Sequence, residues 1–498
     1  MGVIIRQSIK GTVVNYVGAF IGFLSTMFIV TRFLTSEEIG LTRVLFEAAT
    51  LLGTFVQLGT TSSAIRFFPS FKSKDGRNNG FFFYLVILPL IGCCLFVPVA
   101  WFLKQPVSAY FEQNSALFVD YYNWLFPLMF FIVYLGVFET YSNLLMRIAV
   151  PKLIREVVIR LLLIGVYILY AIHVTGMTGL VVTYIAVYGI AMFLNLWYAS
   201  RIGSVSLKHD FSFINKDLRK DILKYTAFLM VGVIGGSITS KLDLFMVSAE
   251  MGLNYGGIYT IAFYMVAIID IPSRSITAIS SPVAAEALRA GDFEKANALY
   301  KKVSLHQLLI GGFLFLLLWI NIDNIFDIIP NGADYRAGKW VVFFIGLSRL
   351  IVMFLGFGYT LISFSKYYYW GLYFTFFITA ITILTNSWLI PILGMTGAAV
   401  ATLLTCVLSH TVQQWLVFAK VKGNPYTWNT LRLLGVFLLL FGLNVVLPEI
   451  DNPWSDGIFR STVMCIAGGV LIYFLHLSPE VNQLADDLIF KWLKWRKR

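Results

Sequence analysis

Charge is scarce in this chain. Only 13% of its 498 residues are Asp, Glu, Lys or Arg, against about 25% in soluble domains, while 58% are hydrophobic. That balance leaves too little charge for an ordinary water-facing surface. Cysteine is scarcer still. Cys93, Cys94, Cys406 and Cys465 are the full complement, without a CxxC motif or a pairing pattern, so neither a disulfide framework nor a metal site is expected. No GxxxxGK phosphate loop occurs and no segment is of low complexity. The outward gaps between apolar runs are short and hold no His–Asp constellation, so acids, bases and metal ligands have nowhere to collect there. No catalytic residues and no cofactor are expected, which weighs against a membrane-embedded glycan polymerase or glycosyltransferase.

What the chain has instead is long apolar runs, almost end to end. A bilayer core of roughly 30 Å takes about 20 apolar residues per helix, and inside lipid each backbone polar group must be paired within its own segment. Fourteen transmembrane helices are therefore predicted, near 11–33, 41–63, 80–103, 118–140, 155–173, 177–199, 225–248, 254–280, 304–321, 340–365, 368–390, 395–419, 431–448 and 459–477. The fold class is an all-α polytopic membrane protein.

Lysine and arginine fill every second gap. Arg6 and Lys10, Lys72 to Arg77, Arg147 to Arg155, the dense run from Arg201 to Lys224, Arg289 to Lys302, Lys366, Lys420 to Arg432 and Lys491 to Arg498 fall on one side. The opposite gaps hold few cations (Lys104, Arg336, Lys339 and Arg460) and carry Glu37, Glu38, Asp323, Asp327, Glu449, Asp451 and Asp456. Cationic loops stay in the cytoplasm, so both termini are expected there. The net charge of +12 then follows from topology, and nucleic acid is not an expected partner. The first run is too long for a signal peptide and lacks a cleavage site.

The chain also repeats itself. Phe28-Ile29-Val30-Thr31 followed by Gly40-Leu41 is echoed by Phe245-Met246-Val247-Ser248 and Gly257-Ile258, an offset of 217 positions between the glycines. Gly176-Met177-Thr178-Gly179 returns as Gly394-Met395-Thr396-Gly397, offset by 218. Both echoes sit at equivalent places, and helices 1 and 7 both leave the cytoplasm, so the halves are parallel repeats. The expected organisation is an N-lobe over 1–199, a linker over 200–224, a C-lobe over 225–419, two added helices over 420–477 and a tail over 478–498. In the tail, Ser478-Pro479-Glu480 starts a helix, and Val481, Leu484, Leu488, Trp492 and Trp495 recur at helical spacing beside Lys491 and Lys494. That is the pattern of an amphipathic helix lying on anionic lipid.

Several charges fall inside the predicted spans, where each needs a partner or a wet cavity. Arg43 and Glu47, Glu156 and Arg160, and Asp270 and Arg274 are neighbours at i,i+4. Lys241 and Asp243, two apart, point to different faces and need partners elsewhere. Arg349 has no carboxylate within a turn. Arg32, beside Glu37 and Glu38, is expected to fix the corner between helices 1 and 2. His410, Gln413 and Gln414 put polar groups on helix 12, for sugar contacts or for hydrogen bonds between helices.

Thr31-Arg32-Phe33-Leu34-Thr35-Ser36-Glu37-Glu38-Ile39-Gly40-Leu41, with Leu58-Gly59 and Arg66, resembles the opening signature of the polysaccharide-transport branch of the multidrug/oligosaccharidyl-lipid/polysaccharide exporter superfamily. Ile390 to Thr402, and the stretch from Asp243 through Gly257-Ile258-Tyr259 to Pro282 and Gly291-Asp292, are similar to that branch too. The resemblance implies two six-helix lobes in a V around a cavity, and flipping of undecaprenyl-pyrophosphate-linked oligosaccharide across a bacterial inner membrane for O-antigen, capsule or exopolysaccharide assembly. It also implies neighbouring glycosyltransferases and a polymerase as partners; a monomer is expected. A multidrug exporter of the same superfamily is the alternative, disfavoured because helix 1 carries no carboxylate before Arg32. A pyrophosphate needs cations, and an arginine fork can grip its oxygens bidentately. The expected substrate-binding set is Arg43, Lys241 and Arg349, with Glu47, Asp243 and Asp270 as candidate coupling or cavity carboxylates for H+ or Na+.

This topology is directly testable. Single cysteines replacing Glu38, Asp327 or Asp451 in a cysteine-free background should react with an impermeant thiol reagent on sealed cells. One replacing Lys220 should not; its labelling would put helices 6 and 7 the wrong way round.

Overall fold

A computed structural model describes residues 2–73, 78–203, 205, 208, 215–483 and 486–487. Lys74 and Arg77, much of the predicted linker, and the tail beyond Gln483 (Leu488 to Trp495 included) lie outside the described residues, Asp486 and Asp487 excepted. Every regular element among the described residues is helical. Thirteen helices are long and apolar enough to cross a membrane: α1 (Lys10–Phe33), α2 (Ser36–Val56), α3 (Asn78–Phe102), α4 (Ala116–Leu144), α6 (Met177–Ile202), α7 (Lys216–Thr239), α8 (Leu253–Arg289), α9 (Phe293–Ile320), α10 (Gly332–Leu355), α11 (Trp370–Leu393), α12 (Met395–Val421), α13 (Trp428–Val446) and α14 (Pro453–Phe474). The fifth predicted helix, α5, is continuous over 149–171. Lys152, Arg155, Glu156 and Arg160 occupy its first half, so its apolar run is the shortest of the set.

Local chemistry starts many of these helices. Thr35 accepts from the Glu38 backbone N–H, and the Glu38 carboxylate accepts from Thr35 N at 2.9 Å, a reciprocal capping box at the head of α2. Asn215 caps α7 through Leu218 N–H at 2.7 Å, and Asp292 caps α9. Asn452 caps α14, with Pro453 at its first position, where a missing N–H costs nothing. The corner between α1 and α2 is thus fixed by the capping box and by Tyr170, which donates to Glu38. Arg32, expected to fix it, is exposed and lies over the Phe33 ring at 5.9 Å instead.

Three predicted spans are broken. Helix 2 (41–63) breaks at residues 57–59, where Leu58 and Gly59 take positive φ before a separate helix over Thr60–Phe71. Helix 10 (340–365) breaks at Gly356. Helix 7 does not run unbroken from 225 to 248: α7 stops at Thr239, Ser240 and Lys241 turn, and a second helix runs Leu242–Met251. Gly235-Gly236-Ser237 just before the stop is a run of poor helix formers, so the break is a property of the sequence. The second segment is strapped to the loop after α3. Ser115 donates to Ser248 O at 2.6 Å, Asn114 to Ala249 O and Glu250 O, and Tyr110 to the Glu250 carboxylate at 3.0 Å. Burial and that neighbouring carboxylate push the Tyr110 hydroxyl up to about 12.

The chain packs as two units, Met1–Ile261 with Asn386–Met395, and Ala262–Thr385 with Thr396–Arg498. In the first, α1 and α5 run side by side in the same direction: Gly11 faces Lys152, Gly18 faces Glu156 and Gly22 faces Arg160. The heads of α2 and α8 cross at backbone distance. A Cβ on Gly40 would overlap the Leu253 carbonyl, and one on Gly257 would overlap the Ser36 carbonyl. The contact is reciprocal, because Leu253 stands in the same relation to Gly257 as Ser36 does to Gly40. A hydrogen bond between Ser36 and Asn254 joins the same two heads.

In the second unit, α13 and α14 are held by a buried polar clamp. The Asp456 carboxylate accepts from Arg460 Nε and Asn324 Nδ2, both at 2.6 Å, and Arg460 also donates to Asn444 Oδ1 at 2.8 Å. Two cations at the head of α10, Arg336 and Lys339, pair with Asp327 and Asp323. At the other end of α9, Lys302 reaches Glu480 at 2.5 Å and His306 lies 3.5 Å from the same carboxylate. The Lys302 hydrogen bond holds Glu480 down at about 2. Leu477 is fully buried, its carbonyl taken by Asn429, which anchors the start of the C-terminal tail.

Gly257→Ala should lower the melting temperature of the purified protein by several degrees, since two backbones cannot separate locally to admit a methyl group. Gly165→Ala, where nothing lies within 4 Å of the added carbon, should leave it unchanged or raise it slightly. Equal melting of the two variants would refute the tight crossing.

Candidate functional site

The break in helix 7 decides where its charge goes. With Ser237 and Phe245 at i±4 and so no carboxylate there, the Lys241 ammonium reaches across to α2, where it pairs with the Glu47 carboxylate and donates to Thr50 Oγ1 at 2.7 Å. Arg43, one turn before Glu47 on α2, pairs with the same carboxylate. Two cations from separate helices thus converge on one anion. The Glu47 side chain is 10% exposed, Lys241 14% and Arg43 28%, so the cluster opens on its arginine side. Phe46 lies beneath the Arg43 guanidinium at 5.6 Å and packs in turn, at a tilt, against Tyr188 of α6. A second polar contact, Thr54 to Ser237 at 3.2 Å, joins α2 to α7 two turns lower.

Asp243, two residues past Lys241, faces elsewhere. It accepts from Tyr259 at 3.1 Å on α8 and from Asn386 Nδ2 at 2.8 Å on α11. Lys241 and Asp243 therefore serve separate polar centres in the first unit, as their spacing requires.

In the second unit, Arg349 of α10 lies 3.5 Å from Asp270 of α8 and over the Phe263 ring at 5.0 Å. The i,i+4 spacing pairs Asp270 with Arg274 on its own helix; its ion pair instead goes across to Arg349, with Arg274 adding its field from a turn away. Both members of this pair stay partly open, at 29% and 23%. Glu156 and Arg160 do pair within α5, at 3.0 Å.

The polar residues of α12 are committed within the protein. His410 Nδ1 lies 2.9 Å from Cys406 O on its own helix. Gln413 donates to Leu355 O at 3.2 Å, while Gln414 donates to Gly423 O and accepts from Tyr300 at 2.7 Å. Of the two uses weighed for these side chains, hydrogen bonding within the fold is the one the structure displays for both glutamines. Sequence reasoning missed Thr50, Tyr259 and Asn386 as partners of the buried charges. It also missed the buried Glu139 of α4, paired with Arg155 at 2.9 Å. Thr50 was accessible in principle, three residues from Glu47 on one helical face; the others required the packing.

Residues 4–287 match the family described as Polysaccharide biosynthesis protein. The chain belongs to that family. The match covers α1 to α8, and with them Arg43, Glu47, Lys241, Asp243 and Asp270. No curated protein matches the sequence. Among solved structures, the lipid II flippase MurJ in an inward closed conformation superposes with a TM-score of 0.69 at 13% identity, covering 97% of this chain and 100% of MurJ. An inward-facing multidrug-resistance MATE transporter of the MOP superfamily gives 0.62 at 16% identity, over 81% of this chain and 95% of that one. A MOP superfamily transporter from Pyrococcus furiosus gives 0.54 at 14%, over 85% and 96%. At such identities the likeness carries the fold, and the fold is that of the MurJ and MATE exporters. Together with the family match, it puts the chain in the polysaccharide-transport branch that its motifs resemble.

The Glu47 cluster predicts strong thermodynamic coupling. Glu47→Gln and Lys241→Met should each destabilise the purified protein, because each strands a charge in a low-dielectric setting at a cost of about 3–5 kcal/mol. The double variant should lose much less than their sum. Additive losses in a melting-based double-mutant cycle would dissolve the pair.

Proposed function

We propose that this protein is a flippase that moves undecaprenyl-pyrophosphate-linked oligosaccharide from the cytoplasmic to the outer leaflet of a bacterial inner membrane, by alternating access, for O-antigen, capsule or exopolysaccharide assembly. The observation that carries the reading is the convergence of Arg43 and Lys241 on Glu47 inside the membrane-spanning part of the first unit. Two cations from different helices, aimed at one point, form a receptor for an anion with more oxygens than a carboxylate offers. A pyrophosphate competes with Glu47 for both, and the Arg43 fork can take two of its oxygens together. Displaced from its cations, the Glu47 carboxylate needs another partner, H+ or Na+, which makes it a candidate coupling carboxylate.

Arg349 is a second cationic position, in the other unit, whose Asp270 partner is exchangeable in the same way. Asp243, held by Tyr259 and Asn386, is the second candidate coupling carboxylate. The distribution of loop cations supports an orientation with both termini in the cytoplasm. The family match supports transport of a lipid-linked sugar over multidrug or cation export, for which unpaired carboxylates would be wanted deep in the first lobe. Neighbouring glycosyltransferases and a polymerase are the enzymes such a carrier would serve.

The test is flipping itself. Full-length protein in liposomes, given a fluorescent polyprenyl-pyrophosphate-linked sugar, should render the probe accessible to an impermeant quencher. Arg43→Gln and Arg349→Ala should each slow this at least about tenfold per folded protein, the loss of one charged hydrogen-bonding partner. Both should stay folded, because Glu47 keeps Lys241 and Asp270 keeps the field of Arg274. Arg43→Lys should recover part of the rate, because a point charge lacks the bidentate geometry. Full flipping by a stable Arg43→Gln protein would remove the cluster from the mechanism.

A further inference from the structure

Helix α7 is longer than a bilayer requires. Its 24 residues rise about 36 Å, and the segment Leu242–Met251 adds ten more, against a hydrocarbon core of about 30 Å. The excess lies at the Lys216 end, because residues 216–224 carry six charges and the apolar run begins only at Tyr225. The first two turns of α7 therefore stand at the level of lipid headgroups.

Those two turns carry Lys216, Arg219, Lys220, Leu223 and Lys224, which together line a shallow groove. At about 100° per residue these five positions fall within an arc of about 140° on one helix face. Asp217 and Asp221 fall together on its flank. Among the described residues none of the four cations makes an ion pair with a carboxylate. Leu223, in the middle of the face, is 63% exposed, an apolar side chain held among charges where a phosphate head gives way to glycerol and acyl chain.

We propose that this groove is a binding site for the phosphate headgroup of an anionic phospholipid in the adjoining leaflet. Topology alone asks for cations near a cytoplasmic span end, at any angle around the helix. It does not ask for four of them on one face around an exposed leucine. The groove lies at a depth where phospholipid is a permanent neighbour, and basic pockets at that depth take up anionic heads. This site is separate from the Arg43–Glu47–Lys241 cluster and does not depend on what that cluster carries.

The experiment is native mass spectrometry of the full-length protein titrated with phosphatidylglycerol, phosphatidylcholine and farnesyl pyrophosphate. Phosphatidylglycerol should bind about tenfold more tightly than phosphatidylcholine, with a preference that fades at high salt. The combined variant Lys216→Gln, Arg219→Gln, Lys220→Gln, Lys224→Gln should lose the preference while keeping its melting temperature. A control with the same change in net charge, Lys295→Gln, Lys301→Gln, Lys420→Gln, Lys422→Gln, should keep it. Equal loss in the control, or an unchanged preference in the groove variant, would overturn the assignment. So would a groove variant that loses only farnesyl pyrophosphate, because the groove would then serve a diphosphate and not a bilayer lipid.

Discussion

A charge inside a hydrocarbon slab must find an opposite charge, a hydrogen-bonding partner or water, and the interior of this protein is arranged around that demand. Lys241 reaches Glu47, Arg349 reaches Asp270, Asp243 is held by Tyr259 and Asn386, and Arg460 is locked to Asp456. Each arrangement ties together elements that are distant in sequence, the last through Asn324 on Asp456. The apolar faces of these helices could slide or rotate against one another at little cost, since lipid tails are as apolar as leucine. The polar contacts are what give the bundle its register.

The arrangements are not equivalent. Arg460 is almost fully enclosed, and its partners satisfy it from several directions, as a structural clamp should be. The Arg43–Glu47–Lys241 cluster and the Asp270–Arg349 pair are left partly open, and in each the ion pair is between side chains that can exchange partners. A clamp is satisfied and closed; a receptor is satisfied provisionally and open on one side. That difference separates the residues that hold the second unit together from those proposed to meet a load.

Much of this was legible in the sequence, and the limits follow from what a sequence encodes locally. Apolar runs of membrane length gave the helices, and the i,i+4 pairs Arg43–Glu47 and Glu156–Arg160 could be read without a fold because both members share one turn of helix. Asp270 shows where that logic stops: its same-helix neighbour Arg274 was available, yet the ion pair formed with Arg349 across the packing. The break in helix 7 was written in Gly235-Gly236-Ser237, but hydropathy alone runs straight through it. Arg32 misled because proximity in sequence to Glu37 and Glu38 says nothing of direction, and the capping box had already taken Glu38. Which cation meets which anion across helices depends on rotation and depth, and neither is visible one helix at a time.

The crossing of α2 and α8 carries a consequence for how such a chain came to exist. Gly40 meets the backbone four residues before Gly257, and Gly257 meets the backbone four residues before Gly40. Reciprocity of this kind, where i touches j′ and j touches i′, is the mark of a two-fold axis between identical partners. Two separate copies of a half-length chain would make this same contact as a homodimer, each supplying one glycine. Fusion of the two copies would then add a linker without having to invent an interface, and would free each half to diverge. At the offset of 217, Thr260 and Tyr264 stand where Arg43 and Glu47 do, so halves with such a common origin would differ in their intramembrane charge.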